Sequence, residues 1–225
     1  MRKNNLSQDS VYHIFNRGTD KRAIFMNSND YLRFVNNLVI FNDTEPATNT
    51  KHRLLDIQNG THERVPLVDI LAFCLMPNHF HLLLKQRGES SITEFMRKLG
   101  CGYVNYFNLK HSRSGTLFQG RFKSVLIDNE SQFLYIPFYI HLNPLDMLYQ
   151  DWRENGVKER KKAIEFLDDY KWSSHINYRG KPNFPLILEE NVVAEYFGNE
   201  DNYSEEIYNF LKDFNFSRVS DLLLE

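Results

Sequence analysis

The sequence is poor in cysteine and has no hydrophobic run long enough to cross a membrane. Cys74 and Cys101 are its only cysteines, which are too few for a disulfide framework or a zinc ribbon. No apolar stretch approaches the roughly 18 residues that a membrane span needs. None follows the charged first residues as it would in a secretory signal. We therefore expect a cytoplasmic protein with no membrane partner.

Several catalytic motifs are absent as well. The chain has no Gly-rich loop ending in Gly-Lys-Ser/Thr, which argues against hydrolysis of ATP or GTP by that route. It has neither the Gly-x-Ser-x-Gly turn of the serine hydrolases nor a His-Glu-x-x-His helix. Leu83 stands where a nucleotide hydrolase of the histidine-triad type would need a third histidine. The chemistry must therefore come from other residues.

Charge is distributed unevenly along the chain, although the net charge of the 225 residues is only −2. Residues 85–125 have eight lysines and arginines against two glutamates, a net charge of +6. Residues 185–225 have a net charge of −8. A basic segment of this kind can bind phosphate groups. The acidic end can cover that segment, bind elsewhere or keep the chain soluble.

The order of the predicted elements is typical of a ferredoxin-like α+β fold, an antiparallel sheet with helices on one face. Residues 42–64 are polar and predict a long loop or a variable insertion. We assign residues 1–150 to this domain and 151–225 to a mostly helical extension that is acidic at its end. The hydrophobic periodicity predicts strands at 12–18 and 121–127, a hairpin at 65–85, and helices at about 28–38, 91–108, 128–142, 189–197 and 203–214.

Two histidines in the predicted hairpin are a candidate metal site. His79 and His81 are two residues apart on a strand, so their side chains point to the same face. Two adjacent imidazoles can chelate one metal ion. The same spacing also fits two hydrogen-bonded histidines, but the apolar residues around the pair make a polar partner necessary.

A tyrosine and an asparagine near the end of the last predicted domain helix add to this candidate site. Tyr139 and Asn143 are four residues apart and so share one helix face. The Asn143 amide oxygen together with two imidazoles gives an incomplete nitrogen and oxygen ligand set, which favours Mg or Mn over structural zinc. The alternative is that these residues are an ordinary amphipathic face followed by an Asn-Pro helix stop.

Cations and aromatic residues alternate between residues 113 and 123. Arg113, Arg121 and Lys123 can hold phosphates, and the neighbouring rings can stack on bases. Arg17, at the end of the first predicted strand, is a further candidate for DNA binding. A solvated edge strand with a flexible loop would have a similar composition.

Five segments resemble, in the same order, the REP-associated tyrosine transposases, which are members of the HUH single-tyrosine transposase superfamily. The resemblance covers about residues 8–180. These segments are Tyr12–Gly18, Met76–His81, Gly115–Lys123, Tyr139–Pro144 and Trp172–Ser174.

The resemblance implies a nuclease domain that cuts and rejoins single-stranded DNA during transposition. It implies that His79, His81 and Asn143 hold a divalent metal (Mg or Mn) and that Tyr139 is the nucleophile, forming a 5′-phosphotyrosine intermediate. The expected partner is single-stranded or hairpin DNA, with the protein as a monomer or homodimer. Pro137 departs from the family pattern and predicts a kink just before Tyr139.

Two other functions fit the same residues. The chain could bind hairpin or single-stranded DNA without cutting it. Alternatively, it could be a metal-dependent phosphoesterase that uses the histidine pair and has no need of Tyr139.

Overall fold

A four-stranded antiparallel sheet forms the centre of the structure, a computed structural model that describes residues 10–46, 50–189 and 200–212. The strand order is β2-β3-β1-β4, which is the order of a ferredoxin-like sheet. This arrangement confirms the predicted α+β class. The strands are β1 (Val11–Arg17), β2 (Val68–Met76), β3 (His79–Gln86) and β4 (Lys123–Ile127).

One face of the sheet is covered by the two helices that the periodicity predicts, α1 (Ser28–Ile40) and α3 (Ser91–Lys110). The side chain of Asn27 accepts a hydrogen bond from the Asn29 backbone N–H, which satisfies one of the free donors at the start of α1. Alternate residues of the strands, such as Ile14 and Phe80, pack against these helices in the largest core cluster.

The structure departs from the prediction of helices on one face, because α4 (Glu130–Leu142) packs on the opposite face. All nine residues of β2 are buried, so both faces of the sheet need a cover. Leu83 of β3 and Ile136 and Ile140 of α4 belong to this second cluster. The helix runs without a break through Pro137, so the chain is helical on both sides of this proline.

The remaining elements are short helices. Residues 42–64 were expected to be a loop, but they contain α2 (Thr50–Gln58). Most of the helix predicted at 189–197 lies outside the described residues. No helix in the described part of the chain has the length and apolarity required to span a membrane. The other helices are α5 (Trp152–Asn155), α6 (Arg160–Asp169), α7 (His175–Tyr178), α8 (Glu200–Lys212) and two 3-10 turns, Thr19–Lys21 and Asn143–Met147.

Parts of the extension that the structure describes, within residues 151–189 and 200–212, pack directly on the sheet and on α4. The backbone N–H of Leu75 donates to the Trp172 carbonyl at 2.9 Å, so the segment around Trp172 extends the free edge of β2. Phe138 and Leu142 of α4 pack against α8 in a third cluster. The helix that carries Tyr139 is therefore held between the sheet and the extension.

A chain of buried hydrogen bonds joins α4 to α7 and α8. The Tyr203 hydroxyl lies 2.8 Å from Nδ1 of both His141 and His175. The remaining ring nitrogens contact Ser174 at 2.7 Å and Asp168 at 2.9 Å. Burial lowers the pKa of His141 and His175, so both rings are neutral near pH 7. Each ring nitrogen thus has a partner, which buried polar atoms require.

We expect Tyr203→Phe to lower the free energy of unfolding by about 1–3 kcal/mol, because it leaves two buried imidazole nitrogens without their shared partner. Tyr208→Phe is the matched control, since Tyr208 lies on the same helix but is 42% exposed. Urea unfolding followed by circular dichroism measures both variants. Equal stability of the two variants would contradict a structural role for this network.

Candidate active site

The antiparallel register of β1 and β3 builds one side of the candidate site. Residues on facing strands are paired so that Phe15 lies opposite His81 and Arg17 opposite His79. Because the side-chain period of a strand is two, His79 and His81 both point to the α4 face of the sheet. The two ring centroids are 5.0 Å apart, with the ring planes nearly perpendicular.

His13 of β1 is a third histidine on this face, and the sequence analysis did not include it in the site. Its Nε2 and the Nδ1 of His81 are 2.9 Å apart in a buried hydrogen bond, so one of the two nitrogens carries the proton. The sequence does hold one clue to its role: His13 lies two residues before Phe15, so the two side chains point to the same face of the strand. The register that places β1 beside β3 was needed to interpret it.

Tyr139 reaches the same face from α4. Its ring centroid lies 5.8 Å from the His81 ring and 5.8 Å from the His13 ring, edge-on to both. The residue is 1% exposed. The structure therefore brings the predicted nucleophile to the predicted histidine pair.

The tyrosines that compete with Tyr139 as nucleophile lie elsewhere. The hydroxyls of Tyr103 and Tyr106 on α3 bond to Ile24 and Asp30, on the opposite side of the sheet. The ring of Tyr135 packs 5.7 Å from Phe210 of α8. Of the four tyrosines, Tyr139 is the one whose ring meets the histidines.

Asn143 follows α4 directly and completes the cluster. Its amide nitrogen donates to the carbonyl of Tyr139 at 2.8 Å and to that of Ile140 at 3.3 Å, which satisfies two acceptors at the helix end. These bonds turn the amide oxygen away from the helix, where it accepts from Nη2 of Arg153 at 3.0 Å. Asn143 is fully buried, so this orientation is fixed by packing as well as by hydrogen bonds.

Burial and neighbouring cations keep the histidine pair neutral. Desolvation, together with the positive charges of Arg153 and Arg17, lowers the pKa of His79 to about 4, against a hydrogen bond to the Asn143 side chain that raises it. Burial also lowers the pKa of His81 well below its usual value. Neutral imidazoles keep a lone pair, which is the form that binds metal.

Arg153 is the second residue that the sequence analysis missed. Its guanidinium lies 5.9 Å from the centre of the Tyr139 ring and is bonded to both Asp146 and Asn143. It comes from the short helix α5 in the extension, for which no motif was available. Arg153 therefore places a positive charge against the tyrosine and against the oxygen that we predict to be a metal ligand.

The donor set fits a divalent ion with an incomplete protein shell. Two neutral imidazoles and one amide oxygen leave positions for phosphate oxygens and water, as Mg and Mn sites commonly do. Within residues 10–46, 50–189 and 200–212, no cluster of three or more His, Cys, Asp or Glu side chains could hold a metal by itself.

A cleft of about 180 Å³ opens beside His79, and three of the four predicted DNA-binding residues line it. These are Arg17, Arg121 and Lys123, with Phe15 at its side. The Lys123 amine lies 5.5 Å from the centre of the Phe15 ring. Arg113 is not among the lining residues; it bonds to Asn108 at the end of α3. The cleft thus joins three cations to His79 and can hold a phosphate chain.

Residues 47–143 match the family model described as "Transposase IS200 like". This segment contains the histidine pair, the basic residues between 113 and 123, Tyr139 and Asn143. The predicted resemblance to the tyrosine transposases is thereby confirmed over this part of the chain.

The structure is similar to that of a REP-associated tyrosine transposase solved bound to a REP hairpin. The TM-score is 0.54 at 14% sequence identity, and the match covers 82% of this chain and 88% of the other chain. At this identity the likeness establishes the fold. No curated protein matches the chain by sequence.

We expect Arg153→Gln to raise the pKa of His79 above its value of about 4, because it removes the larger of the two cationic contributions. Arg17→Gln should raise this pKa by less. Titration of the histidine ring protons by NMR gives the values. Arg160→Gln, on α6, is the control and should leave the pKa of His79 unchanged. A fall in this pKa for Arg153→Gln would show that Arg153 does not act through its charge.

Proposed function

We propose that this chain is a transposase-type enzyme that cleaves and rejoins single-stranded DNA through a tyrosine nucleophile. The family match over residues 47–143 supports a DNA-processing enzyme. The observation that carries the finer proposal is the meeting of Tyr139, the two histidines and Asn143 on one face of the sheet. The reaction conserves phosphodiester energy in a covalent link and so needs no nucleoside triphosphate.

His79, His81 and Asn143 would hold the divalent ion, Mg or Mn, which when bound supplies Lewis-acid polarisation of the scissile phosphate. The chain's own residues do the rest of the positioning. Arg17, Arg121 and Lys123 bind neighbouring phosphates in the cleft beside His79. Burial of the Tyr139 ring between the sheet and the backbone of α4 limits its motion.

The covalent step is a transesterification. The phenolic oxygen of Tyr139 loses its proton as it attacks phosphorus, the bond from phosphorus to the 3′ oxygen breaks, and the 3′ oxygen takes up one proton, so no net proton is gained or lost. The products are a 5′-phosphotyrosine and a free 3′-hydroxyl. Attack by a 3′-hydroxyl on the phosphotyrosine reverses the step, releases Tyr139 and rejoins the strand.

Arg153 bonds to the carboxylate of Asp146 as well as to Asn143, and we expect only its bond to Asn143 to be exchanged when substrate binds. In the structure it bonds to the Asn143 oxygen and faces the Tyr139 ring. A phosphate that reaches Tyr139 offers this guanidinium a charged acceptor, a stronger partner than a neutral amide. We therefore expect Arg153 to leave the Asn143 oxygen for the phosphate, which frees that oxygen for the metal.

Single-stranded DNA is the expected substrate, because in a duplex the bases beside the target phosphate are paired and stacked. Hairpin-flanked, REP-like sites fit the same requirement, and the structural neighbour was solved with a REP hairpin. A cytoplasmic location and a monomer or homodimer remain predictions.

Two alternatives predict different outcomes. A hairpin- or single-strand-binding protein that does not cleave would form no covalent product. A metal-dependent phosphoesterase would cleave without Tyr139 and would leave no DNA on the protein.

We expect Tyr139→Phe to abolish cleavage and covalent attachment while binding of DNA and metal is retained, because only the hydroxyl is lost. The assay incubates the protein with Mn and a 5′-labelled or 3′-labelled single strand carrying a hairpin, then separates products on denaturing gels. Tyr135→Phe is the matched control on the same helix and should cleave like the wild type.

Cleavage by Tyr139→Phe at the wild-type rate would contradict the nucleophile and favour the phosphoesterase. Binding of the strand without cleavage by the wild-type protein would favour the non-cleaving alternative. DNA linked to Tyr135 or Tyr103 instead would contradict the assignment of Tyr139 as the nucleophile, although the chain would still be a DNA-cleaving enzyme.

A further inference from the structure

A second and larger cavity lies on the other side of the sheet from Tyr139. Its volume is about 640 Å³, and it opens between α3 and the loop at residues 118–122. Phe34, Phe80 and Leu99, which belong to the main core, form its floor. A volume of this order is typical of sites for small organic groups. None of the residues discussed as catalytic lines it.

This cavity adjoins the phosphate cleft beside His79. Asn16 and Arg121 line both spaces, so the two share a wall. The amide of Asn16 donates to the Gly120 carbonyl at 3.1 Å, and the Gln119 backbone N–H donates to the Arg17 carbonyl at 2.8 Å. These bonds fix the loop between the cavities to the end of β1. A group bound in one cavity is therefore next to a group bound in the other.

The walls combine aromatic rings with positive charge. Phe118 and Phe122 are half-buried and line the cavity together with Phe80, whose ring meets Phe118 edge-on at 5.8 Å. Arg97 and Arg121 are exposed side chains that line it as well. Among the described residues, the lining includes no carboxylate. This chemistry suits a flat aromatic group attached to a phosphate and disfavours a cationic ligand.

We propose that this cavity receives one unpaired nucleobase of the DNA strand whose phosphates lie in the cleft of Arg17, Arg121 and Lys123. The inference rests on the proposed function, because it requires a single strand in that cleft. The base would stack on the phenylalanine rings, while Arg121 would contact its 5′ or 3′ phosphate at the shared wall. A base in a duplex could not enter, so the cavity also selects single strands.

Gly100 offers a direct way to fill the cavity. It lies on α3 in the lining, and a β-carbon added there would meet no atom within 4 Å. Leucine at this position would project into open space without strain, and it forms helices better than glycine. Gly100→Leu should therefore block the cavity and keep the fold, which thermal unfolding checks.

The test uses two fluorescent 20-nucleotide single strands, one with bases and one with abasic sites throughout. Fluorescence anisotropy, without divalent metal, measures the affinity of the protein for each strand. We expect the wild type to prefer the strand with bases. Gly100→Leu should weaken that strand's binding about 5- to 10-fold, the scale of one base stack on aromatic rings, and leave the abasic strand's affinity unchanged. Asn105→Leu adds the same side chain at an exposed position of α3 outside the cavity and should bind like the wild type.

The outcomes separate this site from the proposed function. Failure of the wild type to bind either strand would contradict DNA binding itself. Equal wild-type affinity for both strands, or an unchanged preference in Gly100→Leu, would contradict the nucleobase site while leaving the phosphate cleft in place.

Cys101 provides a second readout in the unaltered protein. It is exposed and lines the cavity, whereas Cys74 is buried and burial raises its thiol pKa, so it serves as an internal control. The strand with bases should slow alkylation of Cys101 by N-ethylmaleimide at least about fivefold, and the abasic strand should not. Protection by a free deoxynucleoside monophosphate, with no protection by the strand with bases, would assign the cavity to a small ligand and contradict the proposal.

Discussion

Burial of one sheet face beneath α4 is the constraint on which the rest of the site depends. Polar groups removed from water on this face must find partners, because an unpaired buried polar atom is costly. His13 pairs with His81, and Asn143 bonds to the end of α4. The hydrogen bonds that satisfy these groups also fix their positions. The requirement for a stable core and the requirement for a rigid site are thus met by the same contacts.

The same burial determines the electrostatics. Desolvation and the cations Arg153 and Arg17 keep His79 uncharged, so the site places positively charged side chains beside neutral nitrogen donors. Such an arrangement attracts a phosphate chain and leaves imidazole lone pairs for a metal ion. The extension contributes directly to the site, because Arg153 lies on α5. The hydrogen-bond network around Tyr203 also connects α4 to the extension. The described residues after 150 therefore include part of the environment of the site, namely Arg153 and the network around Tyr203.

Much of the sheet and the shared face of His79 and His81 could be predicted from sequence, because strand alternation is local. The four-residue spacing of Tyr139 and Asn143 is likewise a local helical property. His13 could not be assigned, because its meeting with His81 depends on the register between β1 and β3, strands that are far apart in the chain. Arg153 reaches the site only through packing of the extension. The side taken by α4 was missed because an apolar strand covered on both faces gives no sign of which helix covers which face.

Diffraction from crystals grown with Mn tests the central claim most directly, since anomalous scattering locates the ion without reference to activity. We expect one strong peak bounded by the ring nitrogens of His79 and His81 and the amide oxygen of Asn143, with Arg153 turned away from that oxygen. The peak should disappear in His79→Ala crystals of the same form. A peak at other side chains, or none with His79, His81 and Asn143 in their present arrangement, would contradict it.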